Sequence, residues 1–138
     1  MVRLIQGFSV ALLSLPLALA QTPEVQLFKD MYYEGDNVTV PVSSTCYSLV
    51  FPEESKLYNQ VSSIKIPDGV WCWLDVSAIC GAWKDKMGVT LGAPGSASLY
   101  DQVFQEDYNM NDNLNSLVCM QGTKADLESA LNGPEDAI

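Results

Sequence analysis

The stretch Phe28-Lys29-Asp30-Met31-Tyr32-Tyr33-Glu34-Gly35 restricts the fold more than any other part of the sequence. It lies between two alternating runs, Val25 to Phe28 and Val38 to Val42. Alternation of apolar and polar side chains is the period of a half-buried strand. The eight residues therefore read as a strand end folding over into its antiparallel partner, with Gly35 supplying a positive φ at no steric cost. Phe28 and Tyr33, five positions apart, are spaced to stack across the fold and shield its backbone.

A weaker copy is read about forty-six residues further on, where Leu74 and Ile79 precede Gly81 at the same intervals and Trp71 and Trp73 lead in. The segments that close each copy are also alike, Val61 to Ile66 in the first and Leu114 to Val118 in the second. A repeat of this length sets the architecture before any single element does. It predicts an all-β, two-sheet sandwich spanning residues 21–120, built from two four-stranded units at about 24–69 and 70–120.

Within the first unit, Thr45 to Phe51 alternates as a third strand that Pro52 stops. A polar crossing from Glu53 to Asn59 leads to a fourth, where Ile64 and Ile66 should point inward and Lys65 outward. Pro67-Asp68-Gly69 is a turn that joins the units. In the second unit the hairpin is expected to return near Ala82-Trp83, Leu91 to Ser96 to form a flexible loop, and Ala97 to Phe104 to be the third strand. A polar, acidic crossing then precedes the closing strand, Leu114 to Cys119. In the acidic tail, residues 121–138, Thr123 is placed to cap a short helix with Asp126, Leu127 and Leu131 share a face, and Gly133-Pro134 ends it.

Residues 1–20 carry Arg3, an apolar run from Ala11 to Leu17, and Ala18-Leu19-Ala20 before Gln21. That order reads as a secretory leader cleaved after Ala20, and the run is too short for a membrane span. A secreted, extracellular protein is expected. Loss of Arg3 with the leader takes the formal net charge from −10 to −11. So acidic a surface repels phosphate backbones and anionic lipid, which argues against nucleic acid as a partner.

Cys46, Cys72, Cys80 and Cys119 all follow the leader. An even count in an exported chain reads as two disulfides, with three connectivities open. Their spacings of 26, 8 and 39 do not resemble zinc knuckles, and the sequence has no histidine. Without histidine, Ser-His-Asp and Cys-His machinery is ruled out. The adjacent carboxylates Glu53-Glu54 and Glu106-Asp107 fall in polar crossings, where acids are ordinarily solvated, so the chain reads as a non-enzyme. Two of Trp71, Trp73 and Trp83 are expected in the core. Asn37-Val38-Thr39 is a glycosylation sequon.

Phe28, Tyr33, Gly35 and the later Ser63 resemble the Greek-key motif of the βγ-crystallin superfamily, with Ser116 standing for the serine of the second copy. The resemblance implies that the third strand of each unit crosses into the other unit's sheet, beside its fourth strand. It implies in turn a Cys46–Cys119 disulfide and a Cys72–Cys80 staple across the second hairpin. It also implies two calcium clamps, Tyr58 to Ser63 and Asn111 to Ser116, with ligands drawn from Gln60, Ser62, Asn113, Asn115 and Glu34. Tyr58 replaces the first acid or amide of the pattern and Asn115 the fifth-position hydroxyl, which predicts weak or lost binding. In function the chain is similar to secreted, crystallin-like microbial effectors and killer toxins, those of fungi among them. These are monomers that recognise an extracellular protein or cell-surface component. The superfamily's proteinase inhibitors and its calcium-stabilised wall and spore proteins are the alternatives.

Overall fold

The computed structural model describes residues 19–50 and 56–133. The apolar run of the expected leader, Pro52, the Glu53-Glu54 pair and residues 134–138 lie outside the described residues.

The first unit contributes β1 (Glu24–Phe28), β2 (Asn37–Pro41), β3 (Cys46–Ser48) and β4 (Ser63–Lys65). The second contributes β5 (Val70–Asp75), β6 (Gly88–Gly92), β7 (Gly95–Ser96), the small hairpin β8 (Val103–Gln105) with β9 (Tyr108–Asn109), and β10 (Ser116–Gln121). One sheet runs β2-β1-β4-β7 and the other β3-β10-β5-β6, so each unit lends its third strand to the other's sheet. Both crossovers are the ones the resemblance implies.

Two elements of the second unit differ from the expectation. The hairpin returns at Gly88, not near Ala82-Trp83, because residues 76–87 form a longer excursion closed by Val76 N donating to Met87 O. The third strand is Gly95–Ser96, inside the stretch expected to be a flexible loop. Its amides pair with Ile64 and Lys65, and the Ala93-Pro94 peptide leading into it is cis. Residues 97–104, expected as that strand, hold a 3-10 turn at Leu99–Asp101 and the start of β8.

Alternation decides what is buried. Val25, Leu27, Val40, Ile64 and Ile66 of the first sheet meet Val70, Leu74 and Leu117 of the second in one continuous core. Each such side chain contributes roughly 1.5–3 kcal/mol on burial. Lys65, between two core residues, points out and lies over the Phe28 and Tyr33 rings.

A second, smaller core lies on the outer face of the β3-β10-β5-β6 sheet. Trp73 and Val118 pack there with Cys80 and with Leu127 and Leu131 of the helix α1 (Lys124–Leu131). Thr123 and Asp126 form the expected capping box. Trp73 is 3% exposed, while Trp71 and Trp83 are partly buried against the same cluster. Both indoles of β5 lie on glycines of β6: a Cβ on Gly92 would sit 2.8 Å from the Trp71 ring, and one on Gly88 would sit 2.6 Å from the Trp73 ring.

The disulfides are Cys46–Cys80 and Cys72–Cys119. This corrects the pairing that the resemblance implied, and the register explains why. On β10, Cys46 stands opposite Val118 and Cys119 opposite Cys72. A one-residue offset puts side chains on opposite faces of a sheet. Cys119 therefore points into the main core toward Cys72, while Cys46 joins the outer cluster with Cys80.

Candidate functional site

The folded hairpins fix the loops that any site must use. In the first, Phe28 and Tyr33 meet edge to face at 5.8 Å, and Gly35 has φ +78° with no room for a Cβ beside the Asp30 carboxylate. The hydroxyl of Ser63 is the pin: it donates to Asp30 O at 2.6 Å and accepts from Tyr33 N at 3.0 Å. In the second, the hydroxyl of Ser116 donates to Ser77 O at 2.6 Å and accepts from Cys80 N at 2.8 Å.

The hairpins therefore correspond with an offset of forty-seven, Asp30 with Ser77 and Tyr33 with Cys80. This corrects the sequence alignment by one residue. Asp75 and Cys80, not Leu74 and Ile79, stand where Phe28 and Tyr33 stand, and Ala82 replaces the glycine. Leu74 is a core residue and Ile79 is exposed.

The polar substitute holds the second hairpin as tightly as the aromatics hold the first. Asp75 is fully buried. Its carboxylate accepts from Trp73 Nε1 at 2.8 Å, Ser77 N at 2.6 Å and Ala82 N at 3.0 Å.

The two clamps are also duplicates. Gln60 N donates to Leu57 O and Asn113 N to Met110 O. Asn59 and Asp112 both take left-handed φ, 51° and 57°, which Asn and Asp tolerate better than other side chains. Ser62 N donates to Phe28 O and Asn115 N to Asp75 O. The clamps abut, with Asp112 N donating to Val61 O at 3.0 Å.

Their oxygens are used differently. Ser62 is buried beside hairpin one, while Gln60 is exposed. Asn113 turns its amide back to donate to Asn109 O. Glu34 O accepts from Asp30 N inside its own hairpin, and Glu34 is exposed. At the second clamp the Asn115 amide nitrogen donates to Val76 O at 2.8 Å, which leaves its Oδ1 buried with no partner. A buried oxygen without a donor is costly, and it is a fit for a cation held by neutral oxygens. No group of three or more His, Cys, Asp or Glu suited to a metal exists among the described residues.

Solved structures share this fold. A structure described as "Evolution of the eye lens beta-gamma-crystallin domain fold" matches with a TM-score of 0.54 at 18% identity, covering 75% of this chain and 91% of its own. The fold is that of a βγ-crystallin domain. Hahellin, a beta-gamma crystallin, matches with TM-score 0.51 at 18% identity over 75% of this chain and 99% of its own. A mutant betagamma-crystallin domain from Clostridium beijerinckii matches with TM-score 0.50 at 18% identity over 72% and 98%. No protein-family model and no curated protein matches the sequence.

On this βγ-crystallin scaffold four large apolar or aromatic side chains stand exposed on segments that the backbone joins into one edge. Tyr32, Tyr100, Val103 and Tyr108 are 71, 64, 60 and 59% exposed. They are joined through the backbone: Tyr32 N donates to Ala97 O, Gln102 N to Leu99 O and Met110 N to Gln102 O, while β8 pairs with β9. Sequence reading missed this edge because its members come from a hairpin tip, a 3-10 turn and a two-stranded ribbon. The one signal available was Tyr108, which sits in an otherwise polar run, Glu106-Asp107-Tyr108-Asn109.

Proposed function

We propose that the chain is an exported, non-enzymatic binding protein whose tyrosine-rich edge recognises a component of a host or competitor cell, in the manner of effectors and toxins. The carrying observation is the edge: four large apolar or aromatic side chains in solvent, on loops held by a sandwich with two disulfides. Exposed apolar and aromatic side chains gathered on neighbouring segments suit an interaction site, and tyrosine supplies contact area at low entropic cost. Two disulfides fit an oxidising compartment, as does the leader-like order of residues 1–20.

The test is capture of extracellular and cell-surface components by the chain beginning at Gln21. Wild type should retain a saturable ligand that the Tyr32→Ser, Tyr100→Ser double variant loses while its melting is unchanged. Equal capture by both would sink the reading. N-terminal sequencing of protein secreted from the full-length gene should begin at Gln21, and an endoglycosidase shift should report Asn37, which is exposed at the start of β2.

Calcium belongs to the same reading as a stabiliser. Asn115 Oδ1 would be one ligand, with the remaining oxygens drawn from the backbone of the clamps and from water. Oxygen ligands suit calcium, and the absence of a carboxylate on Asn115 supports weak affinity. Calorimetry on chelator-treated protein should give heat that Asn115→Ala abolishes; no heat with wild type removes the proposal.

A further inference from the structure

Helix α1 covers the outer face of one sheet, while the outer face of the β2-β1-β4-β7 sheet carries no α-helix among the described residues. On that open face the register sets Gln26 of β1 between Thr39 of β2 and Lys65 of β4. Glu24, two residues before Gln26, projects from the same face. A groove of about 480 Å³ opens there, walled by Glu24, Gln26, Tyr33, Lys65, Pro67 and Pro94. The size falls within the range of small-ligand sites, roughly 300–1,000 Å³.

The apolar walls are held in place. Tyr33 is pinned through its N–H by Ser63 and braced by the Phe28 ring. The Lys65 ammonium lies 4.8 Å from the centre of the Tyr33 ring and 5.3 Å from that of Phe28. Pro94 O accepts from Ile66 N at 3.0 Å, which ties the far wall to the end of β4. Proline side chains have almost no rotamer freedom to lose, so a ligand entering the groove orders little.

The polar groups on this surface are chemically mixed. The Glu24 carboxylate only accepts, the Lys65 ammonium only donates, and the Gln26 amide does both. Glu24 and Gln26 are exposed, and neither side chain has a partner among the described residues. Lys65 has three N–H donors and rests on two rings, so at least one donor remains for a ligand. One acid and one base leave the walls without net charge, in a chain with 17 Asp and Glu against 7 Lys and Arg. An anion or a cation would meet its like charge there as well as its opposite.

A pyranose suits such walls, because hydroxyls that both donate and accept surround its ring and patches of C–H cover its faces. We propose that the groove binds a neutral pyranose, its C–H face against the tyrosine and proline walls and its hydroxyls on Glu24, Gln26 and Lys65. A glucan and an N-acetylated, chitin-like chain both present this chemistry. None of Tyr32, Tyr100, Val103 and Tyr108 lines the groove. The test needs no macromolecular partner, so this assignment and the tyrosine-edge reading fail separately.

The probes are cellobiose and diacetylchitobiose, titrated against the disulfide-intact protein while the Gln26 side-chain amide and the Lys65 backbone N–H are followed by NMR. At least one disaccharide should shift these resonances saturably, and whichever binds tighter names the source. Sorbitol, with hydroxyls and no ring, and cyclohexanol, with a ring and one hydroxyl, should each bind about tenfold more weakly or less. Glu24→Ala and Gln26→Ala should each weaken the sugar about tenfold with unchanged melting. Lys124→Gln, on the helix over the opposite sheet, should leave it unaffected. No saturable shift with either disaccharide, or shifts centred away from the groove, would overturn the assignment. So would wild-type affinity in both alanine variants, or binding of sorbitol, cyclohexanol or free proline as tight as that of the sugar.

Discussion

Asp75 stands in the second unit where Phe28 stands in the first, each directly across from the buried serine of its closing strand, Ser116 and Ser63. One corner of the duplicated fold is thus closed by ring stacking and the other by a carboxylate with three N–H donors. Asp75→Ala should cost about 3 kcal/mol or more, because it leaves several buried donors without an acceptor at about 1–3 kcal/mol each. Asp75→Asn should cost less, about 1–3 kcal/mol, since one oxygen remains. Urea denaturation of both variants checks this, and wild-type midpoints would refute the polar corner.

The disulfides predict a map and a contrast. Peptide mass spectrometry of unreduced protein should recover Cys46 with Cys80 and Cys72 with Cys119. Sequence separations of 34 and 47 give nearly equal loop-closure terms, each about 4 kcal/mol by the chain-entropy model. Location must then separate them. Cys46→Ala with Cys80→Ala should raise hydrogen exchange first in the second hairpin, at the Gly81 and Ala82 amides. Cys72→Ala with Cys119→Ala opens the main core and should raise exchange across β5 and β10.

The two glycines of β6 should respond unequally to alanine. A Cβ at Gly92 meets the Trp71 ring, a side chain that is only partly buried and has room to move. One at Gly88 meets both the buried Trp73 ring and the Leu74 carbonyl, which is backbone. Overpacking costs about 1–3 kcal/mol where neighbours yield and more where they do not. Gly88→Ala should therefore melt well below Gly92→Ala, with tryptophan emission altered in both.

Asp126 makes the helix cap sensitive to acid. Its carboxyl is held below the usual aspartate value first by the hydrogen bond from the Thr123 backbone N–H and then by the Thr123 hydroxyl, against a smaller opposing effect of burial. A depressed native pKa contributes stability that is complete above the unfolded value of 3.8 and is lost as pH falls through the lower native value. Chemical shifts of Leu127 and Leu131 should therefore be flat above about pH 5 and move in the acid limb. Asp126→Asn should erase the acid transition.

The first unit was legible in sequence because its pattern is self-announcing: alternation, two aromatics five apart and a glycine. The second was readable as a repeat but not in register. Leu74 and Ile79 are apolar at the right interval, and nothing in their spacing says that Leu74 faces the core while Asp75 faces the corner. That single-residue slip was independent of the pairing error. The pairing error arose because adjacency of β3 and β10 does not reveal which of Val118 and Cys119 shares a face with Cys46. Of the candidate site, the clamps were visible as loop motifs, and the orphaned oxygen of Asn115 needed coordinates. The groove was not visible at all, since Glu24, Tyr33, Lys65 and Pro94 come together only when β4 pairs between β1 and β7.

The closed rings formed by Cys46–Cys80 and Cys72–Cys119 overlap between residues 72 and 80. A protease that makes one cut anywhere from residue 46 to residue 119 therefore releases nothing. The nicked chain keeps its full mass until a reductant also acts, so exposed loops in this span tolerate a clip that would divide an unlinked sandwich in two.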